Sequence, residues 1–260
     1  MKTLVFLTLV QLFSVVSTAY VLPLEIILQK NAVLAGTSII SVEQDVTFKD
    51  PYKSVVVKET WLIEGDRNLR LSAKGTGELR DLISIAAVYN NKSKTLISGK
   101  SRVSHAAGED FFEKYLAIKS KDSFMVYLKE LGISQNVRLS RAAGAICFAV
   151  GEPATGAIPN NNPEVWFDQD SFRLSKMRFP NNAEVEFSNW GIYGKVHYPK
   201  KKVITWDDKT VVVTVTKVST KSGNGIKSFY PESLDQASEV NLARLGPLGL
   251  TIEEFYKRFR

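Results

Sequence analysis

Glu164-Val165-Trp166-Phe167-Asp168 opens the stretch 163–218, which runs on through Phe172-Arg173-Leu174 and Met177-Arg178-Phe179 to a turn at Pro180-Asn181-Asn182. Beyond the turn, Ala183, Val185 and Phe187 alternate with Glu184, Glu186 and Ser188, the period-two pattern of a strand with one buried and one wetted face. Breakers over 189–194 and at Pro199-Lys200-Lys201-Lys202 are expected to frame two further strands, Val203–Trp206 and Thr210–Val218, the second with Val211, Val213 and Val215 on one face. Short strands in meander order predict an antiparallel sheet rather than βαβ units. Its apolar face must curl or be covered.

Upstream, apolar residues at Leu24, Ile27, Leu28 and Leu34 predict a helix beginning around Pro23 and ending by Gly36. A hairpin follows over Ser38–Phe48 and Ser54–Glu64, turning at Lys49-Asp50-Pro51-Tyr52. In its second strand Val55, Val57, Trp61 and Ile63 share one face, interrupted only by Glu59. Further strands are expected at Leu69–Ala73 and Leu82–Tyr89, then a turn at Asn90-Asn91-Lys92-Ser93, which also spells a glycosylation sequon. From Gly108 to Leu131 the period becomes helical, with Phe111, Phe112, Tyr115 and Leu116, then Phe124, Tyr127 and Leu128, broken into two short helices near Ser120–Ser123. Such a helix pair must bury its apolar stripe, and the concave face of a curled sheet offers the surface. Strands at Val137–Leu139 and Ala145–Val150 precede a long Gly/Pro/Asn loop over 151–163, expected at a rim or lid. Thr251 is expected to cap a short last helix, with Glu254 at the capping-box position.

The 260 residues are 44% hydrophobic, ordinary for a globular protein. Residues 1–19 read as an export signal: Lys2, an apolar run over Leu4–Val16, and Ser17-Thr18-Ala19 as the cleavage site. Cleavage would lower the formal charge of +7 by one, since Lys2 is the only charged side chain there. The remaining excess favours anionic partners such as lipid head groups, and export argues against nucleic acid. Lys200-Lys201-Lys202 and Lys257-Arg258-Arg260 are read as solvated clusters. Cys147 is the one cysteine, so no internal disulfide is possible, and its small apolar neighbours predict a packed thiol.

No catalytic constellation emerges. His105 and Glu109 lie one helical turn apart without a second histidine for zinc, and His197 has no partner at a recognisable spacing. Asp168 and Asp170 fit a solvated turn better than a glycosidase pair, and no Gly-x-Ser-x-Gly elbow or phosphate loop occurs. No catalytic residue, metal or cofactor is expected.

The order of elements resembles the periplasmic outer-membrane lipoprotein carriers and their LolA-like relatives, including the lipoprotein-like domain of the sigma-factor regulator RseB. The likeness rests on Val42-Glu43-Gln44-Asp45-Val46 after the first helix, Glu59-Thr60-Trp61-Leu62-Ile63 leading into Leu69-Arg70-Leu71, Val88-Tyr89-Asn90-Asn91, Val165-Trp166-Phe167-Asp168 with Phe172-Arg173-Leu174, and His197-Tyr198-Pro199. It implies a mainly β fold: a strongly curved, unclosed antiparallel barrel with inserted helices as lid, taking up acyl chains and doing no catalysis. The implied divisions are a signal over 1–19, one half-barrel domain over 20–228 and a C-terminal extension over 229–260. The lining would come from Trp61, Leu69, Leu71, Val165, Trp166, Phe167, Val185 and Phe187, the lid from Phe111, Phe112, Tyr115, Phe124 and Leu128. Where carriers latch the lid with a basic residue followed by proline, this chain has Glu64-Gly65-Asp66, leaving Arg67 and Arg70 as the nearest latch groups. The expected protein is a monomeric periplasmic carrier or sensor of lipid or lipidated protein, served by inner- or outer-membrane partners. The alternatives are an envelope interaction module with a filled barrel, and a hydrolase.

Overall fold

The computed structural model describes residues 21–153, 162–221 and 225–260. The expected export signal and most of the 151–163 loop lie outside that range. Among the described residues the first element is helix α1 (Leu24–Leu34). Strands β1 (Ile39–Lys49), β2 (Ser54–Glu64), β3 (Asn68–Gly75), β4 (Ile83–Asn90), β5 (Ser93–Ser98) and β6 (Ser101–Ala106) then form one meander. A lid segment follows, containing a 3-10 turn (Glu113–Ala117) and α2 (Lys121–Glu130), whose N-cap Ser120 accepts the Ser123 amide. The second meander is β7 (Val137–Ala142), β8 (Ala145–Val150), β9 (Glu164–Asp168), β10 (Leu174–Arg178), β11 (Glu184–Tyr193), β12 (Val196–Trp206) and β13 (Lys209–Lys221). The short β14 (Glu239–Val240) and helix α3 (Pro247–Arg258) complete the chain.

All paired strands are antiparallel, and the sheet runs β6-β5-β4-β3-β2-β1-β13-β12-β11-β10-β9-β8-β7 with β14 beside β4. The meanders meet at one junction, β1 against β13, where Val46 faces Val213 and Phe48 faces Val211. Strands β6 and β7 pair on one side only, so the barrel stays open, the architecture expected from the sequence. Alternation sets the concave face: Val42, Val46 and Phe48 of β1, Val57, Trp61 and Ile63 of β2, and Val185 and Phe187 of β11 are all buried. Each such side chain contributes roughly 1.5–3 kcal/mol. Among the described residues no helix is long and apolar enough to cross a membrane.

Several expectations need correction. The stretch 94–107, given no strands, holds the β5–β6 hairpin, which is wetted on most positions of both faces and so lacks the period-two contrast. Neither 189–193 nor Pro199-Lys200-Lys201-Lys202 breaks the chain: β11 runs on to Tyr193 and β12 runs through the lysine run with Pro199 opposite Trp190, and the two basic clusters are not wholly solvated, since Lys202 and Arg260 are turned inward. Helix α3 starts four residues before Thr251, with Pro247 in its first turn, and Thr251 Oγ1 donates to the Pro247 carbonyl from inside the helix. Gly246, at φ +56° and ψ −134°, makes the entry, a conformation open essentially to glycine alone.

Candidate ligand-binding site

The concave face is covered by two segments. The lid lays Phe111 on Tyr89 at 4.6 Å between ring centroids, Phe112 against Phe187 at 6.0 Å, and Phe124 against Phe167 at 5.5 Å; Tyr115 and Leu128 are buried with them. Helix α3 fills the rest of the mouth. Phe255 meets Phe48 edge-on at 5.2 Å, and Phe259 packs on Trp206 at 5.1 Å. Residues 225–238 first cross the outer face of β3 and β4, where Arg70 donates to the Ser228 carbonyl (3.0 Å) and to Ser233 Oγ. β14 then pairs with Ile83 and Ser84 before α3 turns inward.

Of the expected lining, Trp61, Leu69, Leu71, Val165, Phe167, Val185 and Phe187 point into the barrel and are buried. Trp166 does not. It packs on the opposite face with Ala142, Cys147 and Ala149, beneath Lys176 and Arg178 at 5.5 and 5.2 Å from its ring, because its neighbours Val165 and Phe167 take the inner positions. The latch also differs from the expected one. Arg67 is exposed and Arg70 holds the C-terminal segment, whereas Asp66 accepts a 2.9 Å hydrogen bond from Tyr127 of the lid helix.

At the centre lies a closed charge network that sequence reasoning missed. Arg260 Nε donates to Glu59 Oε1 at 3.0 Å, and its guanidinium lies over Phe112 and Phe255 at 4.9 and 4.8 Å. Glu59 Oε2 also accepts from Gln44 Nε2 (2.7 Å) and Trp61 Nε1 (3.1 Å). Lys202 Nζ reaches Glu113 Oε1 (2.7 Å), Gln44 Oε1 (2.9 Å) and the Tyr198 hydroxyl (3.0 Å), and Tyr198 donates to Glu113 at 2.8 Å. Glu59, Glu113, Lys202 and Arg260 are all sealed from solvent, so the two carboxylates and two cations must answer one another. Burial alone would raise the Glu113 carboxyl, but Lys202 and Arg260 outweigh it and hold it below the usual range. Burial pulls the Lys202 ammonium down against the support of Glu113, while Glu59 and Glu113 keep the Arg260 guanidinium charged despite its burial. The one signal available in the sequence was Glu59, alone on an otherwise apolar strand face.

Lid and helix are also fastened to each other. Asp110 Oδ2 accepts from Arg258 Nε and Asn181 Nδ2, both at 3.0 Å, and the Asp110 amide donates to the Arg258 carbonyl at 3.1 Å. Gly108 makes the approach possible: a Cβ there would stand 2.1 Å from that carbonyl oxygen. Along α3 two clefts remain. One of about 580 Å³ is lined by Ile85, Leu96, Val240, Leu242, Leu250 and Tyr256 among others. The second, about 670 Å³, lies beside His105, Ala107, Lys257 and Arg258, and both contain Lys94 and Leu96.

Of the residues weighed for chemistry, His105 and Glu109 both line the second cleft, whereas His197 and Asp168 lie elsewhere. His105 is exposed, His197 sits beside Arg173 at 3.3 Å, and Asp168 holds a turn by accepting the Ser171 amide at 2.8 Å. Cys147 is buried, and burial raises its thiol above the ordinary value. Among the described residues no three His, Cys, Asp or Glu side chains gather as a metal site.

No family model matches the sequence, and no curated protein is similar to it. Solved structures are. A LolA superfamily protein of Nitrosomonas europaea aligns at 9% identity with a TM-score of 0.58, over 82% of this chain and 100% of that one. A putative outer membrane lipoprotein-sorting protein domain of Vibrio parahaemolyticus gives 12% and 0.57, over 82% and 98%. A DUF1329 family protein of Desulfovibrio piger gives 10% and 0.51, over 82% and 99%. The chain has a LolA-like fold.

Proposed function

We propose that this LolA-like chain is an exported, non-catalytic carrier or sensor that holds the acyl chains of a lipid or lipidated protein in its half-barrel, here closed by its own lid and C-terminal helix. The observation that carries the reading is how the apolar concave face is covered. Instead of a second sheet, two helical segments fastened to each other through Asp110 and Arg258 lie on it, with clefts of about 580 and 670 Å³ left alongside α3. The fold shared with a lipoprotein-sorting domain supports the same reading. Burying a chain of about ten methylenes yields roughly 8 kcal/mol, enough to compete with one helix for the same surface. Release then requires a membrane partner or a movement of the lid.

The sealed network of Glu59, Glu113, Lys202 and Arg260 favours a second reading, a protein-interaction module whose barrel stays filled. Mass spectrometry of organic extracts of the protein, purified from its native envelope without detergent, separates the two. A carrier yields stoichiometric lipid that is lost in folded Leu96→Glu and Leu250→Glu variants, which place a charge in the cleft. Absence of lipid, together with no uptake of a fluorescent fatty acid, rejects the carrier and leaves the filled module.

A further inference from the structure

Arg260 sits in a cradle built mostly by other elements. The barrel wall supplies Glu59 and Trp61 from β2 and Gln44 from β1, and the lid supplies Phe112. Arg260 Nε donates to both Glu59 oxygens, at 3.0 and 3.2 Å, and the guanidinium lies 5.5 Å from the Trp61 ring and 4.9 Å from Phe112. A carboxylate among aromatic faces is a receptor for an organic cation. Gln44 and Trp61 Nε1 donate to Glu59, so the wall itself sets its orientation. The occupant fits less completely: Arg260 Nη2 is buried without a hydrogen-bond partner among the described residues, and Nη1 turns back to the Phe259 carbonyl of its own segment. Charge decides what can take its place. Lys202 is held by Glu113 at 2.7 Å and by Gln44 and Tyr198, and among the described residues it makes no ion pair with Glu59. Lys94 feels Glu59 through space but donates to backbone oxygens of Arg260 and Tyr256, at 3.0 and 3.4 Å. Withdrawal of α3 therefore strips Glu59 of its ion pair. A neutral or anionic guest would leave that carboxylate uncompensated in an aromatic wall, whereas a cation restores the pair.

We propose that this cradle receives the ammonium or guanidinium head of an amphiphile that displaces α3, with the head on Glu59 and the chain along Phe48 and Trp206 in place of Phe255 and Phe259. The end of α3, two apolar rings followed by a cation, is then a built-in stand-in for the guest. The proposal rests on the carrier reading and narrows it by giving the head group a charge. That charge is the opposite of the one favoured by the formal net charge of +7, because a buried site answers to its own carboxylate rather than to the surface.

Calorimetric titration of the full chain with dodecylamine, dodecylguanidine, dodecanol and dodecanoate, each as a dilute monomer, tests it. The two cations are expected to bind about tenfold tighter than dodecanol, the size of one charge-assisted hydrogen bond, and dodecanoate should be weakest. Arg260→Met frees Glu59 and should tighten the cations by about a further tenfold. Glu59→Gln combined with Arg260→Met should bring dodecylamine to the level of dodecanol. Circular dichroism checks that each variant is folded; if Arg260→Met alone is not, the wild type and the double variant decide. Equal or reversed affinities for dodecylamine and dodecanol in the wild type, as would follow if Lys94 moved onto Glu59, overturn the cradle while the carrier reading stands. A cation preference surviving in the double variant does the same. Equally tight binding of ethylamine or guanidinium ion would mean a free-cation site and reject the amphiphile. If none of the four chains binds, both readings fall together.

Discussion

Glu59 is the residue on which the centre of the barrel turns. An apolar strand face with one carboxylate needs a counter-ion, and Arg260 supplies it from the far end of the chain. Removing one member of a buried pair leaves the other uncompensated, so Arg260→Met should cost about 3–5 kcal/mol. Glu59→Gln together with Arg260→Met should recover much of that loss, and urea midpoints for the two singles and the double give the coupling. Lys94 sets a second residue-scale expectation. Its folded ammonium titrates at about 8 and its unfolded one near 10.4, so across that window the unfolded chain binds the extra proton and stability rises with pH. The Tyr89, Tyr198 and Tyr256 hydroxyls, raised by burial, work the other way: near pH 10 the unfolded chain releases their protons while the folded chain keeps them, so the rise belongs to the window below about pH 9. Urea midpoints at about pH 8 and about pH 9 should therefore diverge in the wild type and converge in Lys94→Met. Trp166 shows the limit of reading single residues. Two bulky neighbours at 165 and 167 and a tryptophan between them leave the inward face undecided until pairing with β8 and β10 fixes the register.

At the scale of elements, strands with one wet face were legible and strands wet on both were not. β2 and β11 announce themselves by alternation, whereas β5 and β6 are recognised only once β4 is there to pair with. The lysine run in β12 misled for a related reason: a charge normally marks a turn, and what keeps Lys202 inside is Glu113, far away in the sequence. Helix α3 combines both difficulties. Its apolar positions Leu248, Ile252, Phe255 and Phe259 follow helical spacing, but nothing local says that they enter the barrel. Deleting residues 246–260 should expose Trp61, Phe48 and Trp206 together with the Glu59 carboxylate. The truncated chain should bind N-phenyl-1-naphthylamine several-fold more strongly and unfold at lower urea, each buried aromatic being worth roughly 1.5–3 kcal/mol. Unchanged probe binding in a folded truncation would show that α3 does not compete for the concave face.

For the whole molecule, the meander order visible in the sequence specified most of the sheet, since among the described residues eleven of the thirteen strand pairings join strands consecutive in the chain, the exceptions being β1–β13 and β4–β14. The β1–β13 junction could not be read that way, because it joins residues about 170 positions apart, such as Phe48 and Val211, and only the closing of the curl brings them together. The same limit explains why a lining could be proposed from alternation while the contents of the barrel could not.

The placement of the lid within this topology has a mechanical consequence. The first meander ends at β6 and the second begins at β7, the two unpaired edges of the open barrel, and the chain between them is the lid. The lid thus arches over the mouth like the bail of a bucket, pinned at both rims. It cannot swing away as a flap hinged on one side would. Any displacement that lifts it also loads β6 and β7, so the width of the opening and the height of the cover change together, and a guest that spreads the staves raises the handle.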